Sequence, residues 1–198
     1  MEKRKLVVAI CGTLLAGKGI VVDILKSKGF QHVSVRSILK EEMEKDGIPP
    51  TRKNLQDVGN ARRKEFGAQY WVQKALDRYK SYDAPLIIES LRNMGEADWL
   101  RKNCNCYIIG VDAPFELRWE RLKGRNIDAD LMDHDRFVID DARDRGFNEP
   151  LEGQQAAMLL VHSDFLINND ENFTGKLEDS KLYKDVMEIY RKIMKTQK

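Results

Sequence analysis

The 198-residue chain has little that would staple, coat or anchor it. Only three cysteines are present, Cys11, Cys104 and Cys106. They form neither an even disulfide set nor a C-x-x-C pair with downstream ligands, so they read as reduced core thiols. Neither sign of charge dominates: 34 Lys and Arg face 32 Asp and Glu, a formal net charge of +2. That balance gives no basis for a nucleic-acid coating protein or a membrane-surface binder. The longest uncharged apolar stretch near the N-terminus, Leu6 to Ala16, is interrupted by Gly12 and Thr13 and carries no small-residue cleavage site. It falls far short of the roughly 20 residues that span a bilayer, so a cytosolic chain is expected. His32, His134 and His162 lack the spacing of zinc ligands. Trp71, Trp99 and Trp119 are scattered over helical positions and fit core packing better than base stacking. No internal repeat, low-complexity tract or Ser/Gly/Pro linker is present.

What remains is an ordinary globular composition, 42% hydrophobic and 33% charged, at a length that buries about 70% of its unfolded surface. Leu6 to Cys11 is a continuous apolar run rich in β-branched residues, the pattern of a strand covered on both faces. Similar runs at His32–Val35, Leu86–Ile88, Cys106–Val111 and Phe165–Ile167 give five candidate strands. Helical periodicity fills the intervals at Ile20–Lys28, Ser37–Lys45, Leu55–Phe66, Trp71–Tyr79, Glu96–Lys102 and Phe115–Lys123. Strand and helix in alternation predict a parallel α/β sheet with right-handed crossovers and helices on both faces. A last helix, about Leu182 to Met194, carries Leu182, Val186, Ile189 and Ile193 on one face. Thr51, after Pro49-Pro50, reads as a helix cap.

The first strand runs into Gly12-Thr13-Leu14-Leu15-Ala16-Gly17-Lys18-Gly19 and then a helix beginning near Ile20. This is G-x-x-x-x-G-K between strand and helix, the setting in which the motif binds phosphate. Glycines let backbone N–H groups converge, the helix N-terminus adds positive charge, and the lysine neutralises the outer phosphates. The competing reading is an ordinary glycine turn with a solvated Lys18. The hydroxyl that usually follows the lysine and reaches Mg²⁺ is missing, since Gly19 and Ile20 have none. Glu89, at the carboxyl end of the third strand, is the candidate to hold the metal through water. Arg118, Arg121 and Arg125, after Asp112-Ala113-Pro114, are candidates to neutralise a transferring phosphoryl group, Arg118 the weakest of them. Arg36, Arg62 and Arg63 are candidates to grip an acceptor's phosphate or are surface charge. Asp140, Asp141, Arg143 and Arg145 read as a solvated, charged helix end.

With these residues in view the chain resembles nucleoside-monophosphate kinases of the P-loop superfamily. It is most similar to a branch of adenylate-kinase-related proteins close to dephospho-coenzyme A kinases and to the kinase-like domain of some deoxycytidylate deaminases. The resemblance runs from Lys5 to Asp170 and rests on several segments. These are the Gly12–Gly19 loop, His32-Val33-Ser34 with Ile38 to Glu42, Asn54 to Gly67, Ile87 to Arg92, Asp112-Ala113-Pro114 with its three arginines, and Asp164 to Asp170. No H-x-E with C-x-x-C zinc signature is present, so any deaminase link concerns the kinase-like domain alone.

The resemblance implies a three-layer α/β/α P-loop NTPase fold with a five-stranded parallel sheet of order 2-3-1-4-5. It also implies one kinase domain over 1–198, with an acceptor region at 36–80 and a lid at about 122–136. ATP would be the donor, Mg²⁺ the metal and a small nucleotide the acceptor. Arg92 would touch the acceptor phosphate, Arg121 and Arg125 the transferring phosphates, and Asn168 to Asp170 would lie near the adenine, with Gly12 through Ile20 cradling the phosphates. This sequence departs from the family at Leu14-Leu15 for Pro-Gly, Arg36-Ser37 for Gly-Asp and Glu89-Ser90 for Asp-Gly. Leu15 is expected to resist the positive φ that glycine allows and so to narrow the cradle. The leading expectation is an ATP- and Mg²⁺-dependent kinase of a nucleoside monophosphate or similar phosphorylated acceptor. Dephospho-coenzyme A kinase and a nucleotide-binding sensor with little transfer activity are the alternatives. The apolar helix faces are accounted for by a monomer's core, and no oligomeric state is assigned.

Overall fold

The computed structural model describes residues 4–79, 83–124 and 133–197. Five parallel strands, β1 (Leu6–Gly12), β2 (Gln31–Ser34), β3 (Leu86–Glu89), β4 (Asn105–Asp112) and β5 (Phe165–Asn168), form one sheet in the order β2-β3-β1-β4-β5. The all-parallel pairing is the one that strand-helix alternation predicts, and the order is the one that the family resemblance implies. β1 is central, pairing Val7–Ile10 with Leu86–Glu89 on one side and Leu6–Gly12 with Asn105–Val111 on the other.

The apolar strands face helices on both sides, as two-period alternation requires. Val7, Ala9 and Cys11 of β1 pack with α2 (Val35–Lys45), α3 (Arg52–Phe66), α4 (Tyr70–Arg78), α5 (Met94–Asn103) and α8 (Ala156–Val161). Val8 and Ile10 pack on the opposite face with α1 (Lys18–Lys26) and α9 (Lys181–Lys195). α9 buries Leu182, Val186, Ile189 and Ile193, one stripe along its length. Trp71 is fully buried, and Trp99 packs against the same core. Burial pushes the Cys11 and Cys106 thiols up to about 12, so both stay protonated, and the three cysteines are free.

Several local expectations are corrected. Val35 starts α2 rather than closing β2, because Ser34 in extended conformation serves as the N-cap of that helix. Thr51 does cap α3, its side chain accepting from Asn54 N. α7 (His134–Arg145) and α8 were not expected from apolar periodicity. α7 escapes that test because its buried face is Phe137, Asp140, Asp141 and Asp144, a helical stripe made mostly of carboxylates. α6 (Phe115–Lys123) follows Pro114 as expected. No helix among the described residues is long and apolar enough to cross a membrane.

Candidate functional site

The carboxyl ends of the strands deliver the loop 12–17, Glu89, Asp112 and Asn168 to one edge of the sheet, where open α/β sheets bind ligands. The loop's backbone is held from outside. Lys18 Nζ donates to the carbonyls of Gly12 (3.1 Å) and Thr13 (2.5 Å), Arg118 Nη1 to that of Leu14 (3.2 Å) and Arg121 Nη1 to that of Leu15 (3.4 Å). Asn169 Nδ2 donates to the carbonyl of Ala16 (2.8 Å). Five consecutive carbonyls are thus tied down, which fixes the peptide planes. Gly17, the N-cap of α1, has no side chain to satisfy the first-turn N–H groups, the arrangement that favours an anion.

Two glycines of the loop are dictated by space. Gly12, at φ 137°, lies against the Val111 carbonyl of β4, and a Cβ there would collide with it. Gly17, at φ 102°, lies against the Asn169 side chain. Leu15 overturns its expectation: it adopts φ 61°, the left-handed conformation a glycine would supply. Ser90, which follows Glu89, does the same at φ 73°. The two departures from glycine therefore keep the backbone shape at a local strain of about 1–2 kcal/mol each.

Lys18, Glu89, Ser90 and Arg92 line a cleft over the loop, with Arg36 and Arg52 on its far wall. Burial, reinforced by the neighbouring Arg92 cation, pushes the Lys18 ammonium down to about 8. Burial opposes the charge of Glu89, but the His32 ring and the Lys18 ammonium outweigh it and hold the carboxyl below its ordinary range. His32 Nε2 lies 3.7 Å from Glu89 Oε2. Among the described residues no group of three or more His, Cys, Asp or Glu is gathered as a metal cage.

Behind the shared wall of Arg36, Arg52, Ser90 and Arg92 lies a second, inner cavity between α2, α3 and α7. Its centre of charge is Asp144, which accepts from Arg52 Nη2 (2.6 Å), Arg92 Nη1 (3.0 Å) and Gln56 Nε2 (2.7 Å). Burial works against an ionised Asp144, but Arg92 and Arg52 hold it far below the ordinary carboxylate range. The expectation of a solvated helix end at Asp140 and Asp141 is corrected as well. Both are buried, Asp140 beside Arg52 Nε at 3.2 Å and Asp141 in a two-pronged pair with Arg118 (2.5 and 2.9 Å). Arg143 and Arg145 are paired with Asp57, Glu149 and Asp141.

Of the other arginines singled out, Arg118 is fully buried and braces the loop. Arg63 is buried against Glu96 (2.8 Å), whose second oxygen accepts from the backbone N–H of Arg92 (2.8 Å) and Asn93 (3.1 Å). Arg62 points away from the cavities toward Asp46 and Glu65. Arg121 borders a third cavity on the outer side of the loop, with Gly17, Ile20, Asn169 and Phe173. Asn168 is exposed at the end of β5, and it is the next residue, Asn169, that lines that cavity. Arg125 and most of the lid expected at 122–136 lie outside the described residues. Arg52, Gln56 and Asp144 were not singled out from the sequence. The helical spacing of Phe137, Asp140, Asp141 and Asp144 is consistent with one buried face, but it does not tell that face from a solvated one, and no sequence signal marks Arg52 or Gln56.

No protein-family model matches the chain. A UPF0200 protein from Aeropyrum pernix is 30% identical over 177 residues, covering 88% of each chain. The chain belongs to the UPF0200 family. A UPF0200 protein from Pyrococcus abyssi is 26% identical over 195 residues, covering 96% of this chain and 97% of its own. Among solved structures, TT1252 from Thermus thermophilus superposes on this UPF0200 chain with a TM-score of 0.61 at 18% identity, covering 99% of this chain and 100% of its own. Shikimate kinase from Bacteroides thetaiotaomicron does so at 0.58 and 12% identity, covering 96% and 98%. These likenesses give the UPF0200 chain a P-loop kinase-like fold.

Proposed function

We propose that this UPF0200 protein is an ATP- and Mg²⁺-dependent phosphotransferase acting on a nucleoside monophosphate or similar small phosphorylated acceptor. The observation that carries the reading is the shared wall, where Arg36, Arg52 and Arg92 separate a lysine-bearing phosphate loop from an inner cavity. Two anions meeting there would be neutralised from both sides, and phosphoryl transfer needs little from a protein beyond that alignment. The loop N–H groups and Lys18 hold the donor's outer phosphates and Arg92 holds the acceptor's phosphate. Arg121, which donates to the carbonyls of Leu15, Asn169 and Glu171, braces the loop from the outer cavity, and a role for Arg125 on the transferring group rests on the family resemblance alone. The donor's base is assigned to the third cavity, beside Ile20 and Asn169. Glu89, ionised and lining the cleft, fits a hard cation held through water, and with no hydroxyl at Gly19 the rest of the cation's shell would come from water and the donor phosphates. Mg²⁺ bound there supplies charge neutralisation across the donor phosphate oxygens.

Transfer to an alcohol needs a base to take its proton, and the carboxylates lining the two cavities, Asp144 and Glu89, are both held below their ordinary range. A phosphate monoester arrives ionised and needs none. The cations that the shared wall turns to the inner cavity likewise favour an anionic reacting group over the neutral ribose hydroxyl of dephospho-coenzyme A. A sensor without transfer activity is motivated by the missing hydroxyl at Gly19 and by Leu15, and the positive φ of Leu15 speaks against the second of these grounds. Single-turnover transfer from γ-labelled ATP with Mg²⁺, against the common nucleoside monophosphates and dephospho-coenzyme A, tests the reading. Transfer to a monophosphate that Lys18→Ala abolishes is the expected result. Transfer to dephospho-coenzyme A alone would replace the acceptor class, and Lys18-dependent ATP binding without any transfer would favour the sensor.

A further inference from the structure

The inner cavity is more selective than an anion site needs to be. Val35, Leu39, Leu55 and the buried Trp71 give it apolar walls that suit a ring, while its polar atoms follow a pattern set by two anchored amides. Gln56 is 5% exposed, and its Nε2 donates to Asp144 Oδ1 at 2.7 Å. An ionised carboxylate only accepts, so the amide cannot be turned the other way. Gln56 Oε1 is left buried with no hydrogen-bond partner among the described residues. An orphaned buried acceptor is costly, and its natural complement is a donor brought by a ligand.

Gln154, on the same cavity, is oriented by a longer chain of the same logic. Asn60 Nδ2 donates to Glu149 Oε2 at 2.7 Å, so Asn60 Oδ1 faces away and accepts from Gln154 Nε2 at 3.2 Å. Arg63 spends Nε on Glu96 and Nη1 on Asn60 and the Glu152 carbonyl. The amide nitrogens are therefore committed, and beside the donors of the arginine wall the two amides are left to offer carbonyl oxygen to an incoming ring.

We infer that Gln56 is a specificity-determining residue whose carbonyl oxygen accepts from an exocyclic amine, so that the acceptor is a phosphorylated compound with an amino-substituted ring. The inference rests on the phosphotransferase reading, with the acceptor's phosphate at the arginine wall and its ring behind it. An oxo group in place of the amine would set carbonyl against carbonyl and leave Gln56 Oε1 unsatisfied.

The test is kcat/KM for transfer to two matched pairs, AMP against IMP and CMP against UMP, which differ by amine and oxo group on the same ring position. In at least one pair the amino member is expected to be favoured by about tenfold or more, the scale of one unsatisfied buried group. Gln56→Leu is expected to bring that ratio to about one, whatever it does to the absolute rates. A merely structural role for Gln56 would lower both members together and leave the ratio unchanged, which would overturn the assignment. Equal or reversed preference in the unmodified protein would overturn it without touching the phosphotransferase reading. No transfer to any of the four monophosphates, with ATP binding intact, would overturn both.

Discussion

On the donor side of the arginine wall the groups that face the cleft are mostly backbone, and on the acceptor side they are side chains. The loop 12–17 is shaped by five carbonyls tied down by four side chains and by glycines that no other residue could replace without collision. The inner cavity is shaped by Arg52, Gln56, Arg63, Arg92 and Asp144, each fixed by a charged or amide partner far away in sequence. The first kind of site spends little folding energy on charge. The second buries ionised groups, which fold stably only while each keeps its partner. A substitution should therefore damage binding on one side of the wall and stability on the other.

Glu96→Ala gives that contrast its largest effect. The buried carboxylate holds Arg63 through one oxygen and the backbone N–H of Arg92 and Asn93 through the other. Its loss leaves a guanidinium unpaired in the interior, and a destabilisation of about 3–5 kcal/mol is expected. Chemical denaturation would read this directly, and a change under about 1 kcal/mol would remove the distinction between the two sides. Lys18→Ala is the counterpart. Transfer is expected to fall by about 10²–10³-fold, the scale of one preorganised charge on a reacting phosphate. The fold should lose less than about 2 kcal/mol, because the two carbonyl bonds lost at Gly12 and Thr13 are offset by relief of a buried ammonium. A variant that unfolds early would show Lys18 to be a structural cation.

The same division decides what was legible in the sequence. Gly12, Gly17 and Lys18 announce themselves because a backbone-built site is encoded within eight consecutive residues. The strands and α9 were equally legible, since apolar periodicity is local, whereas the strand order came only from the family resemblance. Asp144 and Gln56 were not legible, because the meaning of a carboxylate at 144 depends on Arg52 and Arg92, which only the fold brings within 3.0 Å. α7 shows the physical reason. Its buried stripe of Asp140, Asp141 and Asp144 looks like a solvated face until Arg52, Arg92 and Arg118 are placed against it. Arg63 went astray in the opposite sense: it lines the cavity as a candidate phosphate ligand should, but Glu96 has already claimed its Nε.

The pH dependence sharpens the contrast by about tenfold per unit. Lys18 titrates at about 8 in the fold against an ordinary value of 10.5. Its unfolded form holds the proton longer, so this residue's penalty on stability is complete below pH 8 and is relieved as pH rises from 8 toward 10.5. Donor binding runs the other way, since phosphate prefers the ammonium. ATP affinity is expected to be level below pH 8 and to fall about tenfold per unit above it, with proton uptake on binding in calorimetry. Lys18→Ala should flatten that slope, and a slope that survives would belong to another group.

The smallest expected effect falls on Leu15, where the donor loop takes a strained conformation from a residue ill-suited to it. Leu15→Gly would remove about 1–2 kcal/mol of left-handed strain from the native state. It would also loosen the unfolded chain, a loss of about 0.5–1 kcal/mol. The two nearly cancel, so stability is expected to move by less than about 1 kcal/mol. If φ 61° is the conformation that phosphate requires, ATP affinity should change by less than about threefold, because glycine adopts it freely. A large gain in affinity would mean that the leucine side chain obstructs the loop. A large loss would mean that the isobutyl group, packed with Phe137 and Leu122, is what holds the cradle shut.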